Sequence, residues 1–156
     1  SAPLTSSSAL LTFDDGFVDH YTVAFPALLD RGYSGVFFIS GVIFDSVTGL
    51  LNVHKTHLIL ATIGAQTFAE AVGEAITRED KTDGAGLRLR DDVYRYDQSA
   101  DGRAKHLLNY ELPHDVSDRI LSRLFEEFVG DETELAKSLY LTKKQISEMA
   151  GSSDMQ

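Results

Sequence analysis

Two adjacent acids, Asp14 and Asp15, are the residues of this sequence best placed to do chemistry. They follow the apolar run at residues 9–13 and precede Gly16, a pattern that predicts a buried β-strand ending in a tight turn. Ligands of parallel sheets bind at the carboxyl ends of the strands, where neighbouring side chains point in different directions. One carboxylate can then bind a divalent cation while the other accepts a proton from a cation-bound water. The competing interpretation is structural, because Asp-Asp-Gly is also an ordinary turn sequence.

The element that must position these acids is a strand–helix–strand unit over residues 1–44. A second apolar run at residues 35–40, rich in aromatic and β-branched side chains, predicts another buried strand. A helix between the strands is expected to end at Gly32, with Pro26 marking a short first turn and a restart. Its apolar positions are Tyr21, Phe25, Leu28 and Leu29. Two strands joined by a helix predict a parallel pair and an α/β fold.

Residues 45–140 are predicted to form a largely helical insertion. A helical pattern covers residues 51–79, where Thr67 and Glu70 have the spacing of a capping box. Residues 80–105 are polar and contain glycines, which favours an exposed hairpin or a long loop, with a turn at residues 100–102.

The helical pattern returns in the last third of the chain. Asp115 is the expected cap of a helix whose apolar face runs through residues 116–128 and is most simply core. Thr142 and Gln145 form a capping box at the start of the final predicted helix, residues 141–156.

The surroundings of Asp14 and Asp15 closely resemble the first motif of the polysaccharide deacetylases, metal-dependent carbohydrate esterases that include nodulation and peptidoglycan deacetylases. The resemblance is contiguous through the helix and the second strand. It is carried by Leu11-Thr12-Phe13-Asp14-Asp15-Gly16-Phe17, Tyr21, Ala24-Phe25-Pro26, Leu28-Leu29, Gly32-Tyr33 and Val36-Phe37-Phe38-Ile39. It implies a distorted (β/α) barrel, a divalent metal that is commonly zinc, and hydrolysis of N-acetyl or O-acetyl groups on glycans. By the same resemblance, Asp14 matches the catalytic base and Asp15 the metal-binding aspartate.

The second motif of that family, His-(Ser/Thr)-x-x-His, does not occur in this sequence, and residues 141–156 resemble the helix that precedes it. We therefore expect residues 1–156 to be one incomplete deacetylase-like domain, the N-terminal part of the barrel, inactive or nearly so by itself. An aspartate alone binds zinc weakly, because a catalytic site normally has three protein ligands. A natural reading frame that continues past Gln156 into the histidine motif would support this expectation.

Two other functions are compatible with the same residues. One is a non-catalytic carbohydrate-binding or regulatory domain that retains the deacetylase scaffold, and the other is a small interaction domain built on the helical insertion. If the barrel is incomplete, apolar flanks of the second strand and of residues 116–128 are exposed, which predicts self-association into a homo-oligomer.

Other candidate sites are weaker. His54 and His57 are three residues apart and could share a helix face for zinc, but Lys55 between them opposes a cation, so packing or substrate-cleft roles are favoured. The segment Asp97-x-Ser99-x-Asp101-Gly102 lacks the glutamate of an EF-hand and is expected to be a turn. The isolated histidines His20, His106 and His114 are expected to be solvated or capping residues. No serine shows the spacing of a Ser-His-Asp hydrolase.

Composition excludes several classes of function. The 156 residues contain 14 basic and 24 acidic side chains, a net charge of −10 that disfavours nucleic acids and anionic membranes as partners. The absence of cysteine excludes disulfides and thiolate chemistry, and no apolar run approaches the length of a membrane span. The expected partner is an acetylated glycan. Location stays open, although the family resemblance makes secretion plausible.

Overall fold

The computed structural model describes residues 9–45, 49–83 and 99–152. These residues are mostly helical and contain a two-stranded parallel sheet, which confirms the α/β class with a strongly helical character. The elements are β1 (Leu11–Phe13), a π-helical segment (His20–Ala24) continued by α1 (Phe25–Leu29), β2 (Gly35–Phe37), α2 (Val42–Asp45), α3 (Asn52–Ile63), α4 (Ala65–Asp83), α5 (Ala100–His106) continued by a π-helical segment (Leu107–Glu111), α6 (His114–Phe128), α7 (Glu132–Leu139) and α8 (Lys143–Ala150). In these ranges, no helix is both long and apolar enough to cross a membrane.

The chain divides into two compact units. The first unit combines residues 1–49 with residues 133–156, and the second is formed by residues 50–132. The first unit therefore contains the sheet and the candidate acids, while the second contains α3, α4, α5 and α6.

The predicted strand–helix–strand order is confirmed in the first unit. β1 and β2 are parallel and pair in the register Leu11 with Gly35, Thr12 with Val36, and Phe13 with Phe37. The helix between them ends as predicted, because Gly32 adopts a left-handed conformation with φ of 61° and Tyr33 N–H bonds the Leu28 carbonyl at 3.0 Å.

The prediction that both strands are buried is wrong. Leu11 is 42% exposed and Val36 is 38% exposed, and each strand is only three residues long. One face of the sheet is covered, since Leu28 approaches so closely that a Cβ at Gly35 would lie 2.9 Å from its Cδ1. The other face is exposed, and the self-association that such an apolar surface favours stays a prediction.

Two predicted caps in the second unit are also wrong. Gly64 separates α3 from α4, so Thr67 already lies inside a helix and Glu70 accepts a hydrogen bond from Gln66 Nε2 at 2.7 Å instead. Asp115 does not cap α6 but lies in its first turn, where Arg119 Nη1 donates to its carboxylate at 2.9 Å. α4 begins directly after Gly64 and α6 begins directly after Pro113, so neither helix starts at its predicted cap.

The turn predicted at residues 100–102 is the first turn of α5. Ser99 caps this helix, with its Oγ accepting a hydrogen bond from Gly102 N–H at 3.2 Å. The rest of the predicted hairpin, including Asp97, lies outside the described residues. The capping box of Thr142 and Gln145 at the start of α8 is confirmed.

The apolar face predicted for residues 116–128 forms the centre of the second unit. Its fully buried members are Ile120, Leu121 and Phe125 on α6, and they accompany Ile59 on α3 and Phe68 on α4. Burial of such side chains stabilises a fold by about 1.5–3 kcal/mol each, so this face is core.

A buried lysine on α3 contacts α6 and Glu132, the last residue of this unit. Lys55 on α3 is 1% exposed, and its Nζ lies 3.1 Å from Asp118 Oδ1, 2.9 Å from Ser122 Oγ and 3.1 Å from Glu132 Oε2. Glu132 is itself 7% exposed, and its oxygens have no hydrogen bond among the described residues. The Coulombic attraction of Lys55 therefore offsets the free-energy cost of burying this carboxylate.

We predict that Lys55→Met lowers the free energy of unfolding by about 3–5 kcal/mol, because it leaves the Glu132 carboxylate buried without its counter-charge. Lys137→Met is the control, since that lysine pairs with Glu134 on the surface and its loss should cost no more than about 1 kcal/mol. Urea unfolding followed by circular dichroism measures both. A loss below 1 kcal/mol for Lys55→Met would contradict the role given to the buried pair.

Candidate functional site

The candidate acids lie on a sharp turn directly after β1. Asp15 has φ of 71° and Gly16 has φ of 77°, so two consecutive residues adopt the left-handed conformation. A Cβ at Gly16 would lie 2.9 Å from Ile39 Cγ2, which confirms that the turn requires glycine there. Asp15 is a non-glycine residue with positive φ, a conformation that aspartate adopts more readily than most residues and that an Asp-Gly pair adopts in tight turns.

The two carboxylates have different surroundings. Side chains alternate between the faces of a strand, and the rings of Phe13 and Phe37 stack on one face with centroids 4.7 Å apart. Asp14 therefore projects on the opposite, open face and is exposed, whereas Asp15 is half-buried in the turn. The two acids are adjacent in the sequence, but their side chains lie in different environments.

His20 packs beside the turn, a position that its sequence-based interpretation does not predict. Its ring is 8% exposed and packs against Phe13, Phe17 and Phe37, with centroid distances of 5.7, 6.0 and 5.6 Å. The predicted solvated or capping role for His20 is therefore wrong. A signal was present in the sequence, because His20 and Leu28 are eight residues apart and share one face of a helix.

The imidazole of His20 is held in its neutral form by burial. Burial lowers the pKa of His20 from its ordinary value of 6.5, and the negative charges of Asp15, Asp14 and Asp19 oppose that shift more weakly. Its Nδ1 has no hydrogen-bond partner among the described residues. A neutral ring beside the candidate acids can fill space under the turn without neutralising their charge.

The segment between α7 and α8 anchors the other side of the turn. Leu141 N–H donates to the Gly16 carbonyl at 2.8 Å, and Val18 N–H donates to the Leu139 carbonyl at 2.8 Å. The rings of Phe17 and Tyr140 lie 6.0 Å apart. These contacts join residues more than 120 positions apart in the chain, which no local sequence pattern indicates.

Two cavities in the described part of the first unit are lined by residues other than Asp14 and Asp15. One of about 290 Å³ lies between β2 and α8, and one of about 430 Å³ lies beside α2 and α7. Asp14 is exposed. Within the same residues, no three His, Cys, Asp or Glu side chains are grouped to hold a metal ion. The described residues do not by themselves fit a three-ligand zinc site.

The remaining histidine candidates belong to the second unit, whereas the acids belong to the first. His54 is buried and His57 is exposed on α3, so the two rings do not share an environment for a cation. His106 pairs with Glu111, with 3.3 Å between His106 Nε2 and Glu111 Oε1, and His114 is exposed at the start of α6. These histidines have packing and surface positions.

Comparisons of the chain with protein-family models, with curated proteins and with solved structures find no match. The candidate site is therefore defined by its own residues. They are Asp14, Asp15 and Gly16 on the turn, with His20 and Leu141 supporting it.

We predict that burial of neutral His20 makes the protein less stable as the pH falls. Because its folded pKa is lowered, the unfolded chain binds more protons below pH 6.5, and the free energy of unfolding decreases from that pH down to the folded pKa. His20→Phe, which keeps an aromatic ring but cannot titrate, should flatten this part of the profile. Urea unfolding of the metal-free protein between pH 8 and pH 5 measures it.

His20→Gln provides the second non-titrating variant, which separates the titration from the shape of the ring. An unchanged pH slope in both variants would show that His20 is not the titrating group.

Proposed function

We propose that this chain carries two acids of a metal-dependent deacetylase that removes N-acetyl or O-acetyl groups from glycans. The observation that supports this function best is the turn itself. Asp14 and Asp15 follow a parallel strand, in residues resembling the first deacetylase motif, and they occupy different environments on a backbone that is left-handed at Asp15.

We also propose the barrel that this family uses, with the described strand–helix–strand unit as its beginning. A parallel pair with one face covered by a helix and one apolar face exposed suits the wall of such a barrel, whose strands are covered on both faces. Thr12, Val36 and Phe38 occupy that exposed face. Further strands of the barrel would cover this face of the sheet.

In this proposal Asp14 is the general base. Its exposed carboxylate accepts a proton from a water molecule as the water oxygen attacks the acetyl carbonyl carbon. The proton is then available to the sugar nitrogen or oxygen when its bond to that carbon breaks, so that acetate and the deacetylated sugar leave. A base that performs this step accelerates such reactions by about 10²–10⁴-fold.

Asp15 is proposed as one ligand of the divalent metal, with zinc as the first choice. The further ligands would come from residues outside the described part of the chain, since the described residues group no three suitable side chains. The half-buried position of Asp15 suits a ligand more than a proton acceptor, because a ligand need not contact bulk water.

We predict that Asp14→Asn lowers acetate release by about 100-fold or more, since an amide cannot accept the proton. The assay uses the natural gene product, at its natural length, with added zinc and acetylated oligosaccharides. Asp19→Asn is the matched control, because Asp19 is an exposed aspartate near the turn that has no role in the proposal.

Full activity of Asp14→Asn would show that Asp14 is not the base. Binding of the oligosaccharide without any acetate release by the unmodified protein would instead favour the alternative function, a carbohydrate-binding domain that retains the scaffold.

A further inference from the structure

The larger of the two cavities in the first unit is positively charged. It measures about 430 Å³ and lies beside α2, α7 and the start of α8. Lys137 and Lys143 belong to its lining, and none of the described lining residues is acidic. The whole chain has 24 acidic and 14 basic side chains, so the charge of this cavity is opposite in sign to that of the protein. An anionic ligand is therefore favoured here.

Lys143 is the lysine of this lining that can bind an anion. Its Nζ lies 5.4 Å from the centre of the Phe44 ring, and this cation–π contact holds the ammonium group beside another lining residue. Among the described residues, no carboxylate pairs with Lys143. Lys137 differs, because its Nζ lies 2.9 Å from Glu134 Oε1. A carboxylate in the cavity would give Lys143 a charge-assisted hydrogen bond.

The start of α8 adds to the positive potential. Lys143 and Lys144 are the first two residues of this helix, and its first turn contains no acidic residue. The helix dipole is positive at this end, so it disfavours both lysines and favours a nearby anion. The capping box of Thr142 and Gln145 already uses backbone N–H groups there. The ligand contact that we assign is therefore that of the Lys143 side chain.

The walls of the cavity are mainly apolar. They are formed in large part by Ile43, Phe44, Ala136 and Leu141. A pyranose ring suits such walls, since one of its faces presents C–H groups whose burial against apolar side chains is favourable. An acidic sugar unit combines this apolar face with a carboxylate, and a site for a small molecule typically has a volume of about 300–1,000 Å³.

The cavity walls also contact the turn that carries the two acids. A Cβ at Gly16 would lie 3.4 Å from Ile43 Cδ1, and Leu141 N–H donates to the Gly16 carbonyl at 2.8 Å. The described lining includes neither Asp14 nor Asp15, so the cavity is not the reaction centre. A glycan is a polymer, and one of its units can occupy the cavity while another unit reacts.

We propose that this cavity binds an acidic sugar unit of the glycan, with Lys143 binding the carboxylate of that unit. This proposal rests on the proposed deacetylase function, which supplies the glycan, and it adds the class of substrate. The substrate carries carboxylates as well as acetyl groups. The unit in the cavity is not the unit that loses its acetyl group.

The experiment measures binding by nuclear magnetic resonance titration of the natural gene product with methyl β-D-glucuronide and with methyl β-D-glucoside. The two probes differ in a single carboxylate. At about 150 mM salt, which screens distant charges, the glucuronide is expected to shift the backbone amides of residues 142–144 and to bind at least about fivefold more tightly than the glucoside. Lys143→Met should weaken binding of the glucuronide by about fivefold or more, without changing binding of the glucoside. Lys143→Arg keeps the charge and should retain the affinity to within about threefold.

Lys144 offers a matched control. It follows Lys143 in the same helical turn, but its Nζ lies 3.7 Å from Glu148 Oε1 and it does not belong to the described lining of the cavity. Lys144→Met removes the same charge and should change the affinity for the glucuronide less than about twofold. An equal loss of affinity in both methionine variants would reveal a diffuse charge effect and overturn the proposed site.

Other outcomes would also overturn the site. They are equal affinities for glucuronide and glucoside, an unchanged affinity for the glucuronide in Lys143→Met, and displacement of the glucuronide by an equal concentration of inorganic phosphate, which would indicate an adventitious anion site only.

The acetate-release assay tests the proposed function separately. Acetate release by the unmodified protein, together with an unchanged glucuronide affinity in Lys143→Met, would leave the deacetylase function intact and remove the acidic-sugar site. Glucuronide binding that depends on Lys143, without acetate release from acetylated acidic oligosaccharides, would overturn the deacetylase function and with it the substrate class proposed here.

Discussion

The pairing of Phe13 with Phe37 is the interaction on which the candidate site depends. These two rings stack on the covered face of a sheet only three residues long, and their stacking fixes the face that every following residue occupies. A shift of one residue in this register would exchange the two faces. Asp14 would then project toward the side that Leu28 covers. The geometry of the acids is therefore a consequence of apolar packing beneath them.

The turn that carries the acids is supported from two sides by parts of the chain that are distant in sequence. The neutral ring of His20 fills the space below it, and the Leu141 N–H group binds the Gly16 carbonyl from the segment between α7 and α8. Such support compensates for the unfavourable backbone conformation of Asp15, which costs of order 1–3 kcal/mol. Aspartate followed by glycine also adopts this conformation in ordinary tight turns, so our functional interpretation depends on the position of the two acids at the end of a parallel strand.

Local patterns in the sequence predicted the strand–helix–strand order, the glycine-dependent turn at Gly16, the end of the helix at Gly32 and the capping box of Thr142. Each of these depends on the conformational preference of one residue or on a short repeat. The failures have a different origin. The prediction of buried strands depends on their apolar character, whereas burial is decided by what covers them, and Leu11 is exposed. The prediction for His20 considers it as an isolated polar residue, but tertiary packing places it among three aromatic rings. Contacts such as that of Leu141 join distant segments, and a single sequence contains no signal for them.

The division of work between the two acids is tested most directly by the zinc content of the natural gene product after dialysis against zinc, measured by atomic emission for the unmodified protein, Asp15→Asn and Asp14→Asn. If Asp15 is the ligand and Asp14 the proton acceptor, Asp15→Asn loses most of the bound zinc, while Asp14→Asn retains it at the level of the unmodified protein. Equal zinc content in all three proteins, or loss of zinc in Asp14→Asn alone, would contradict the account.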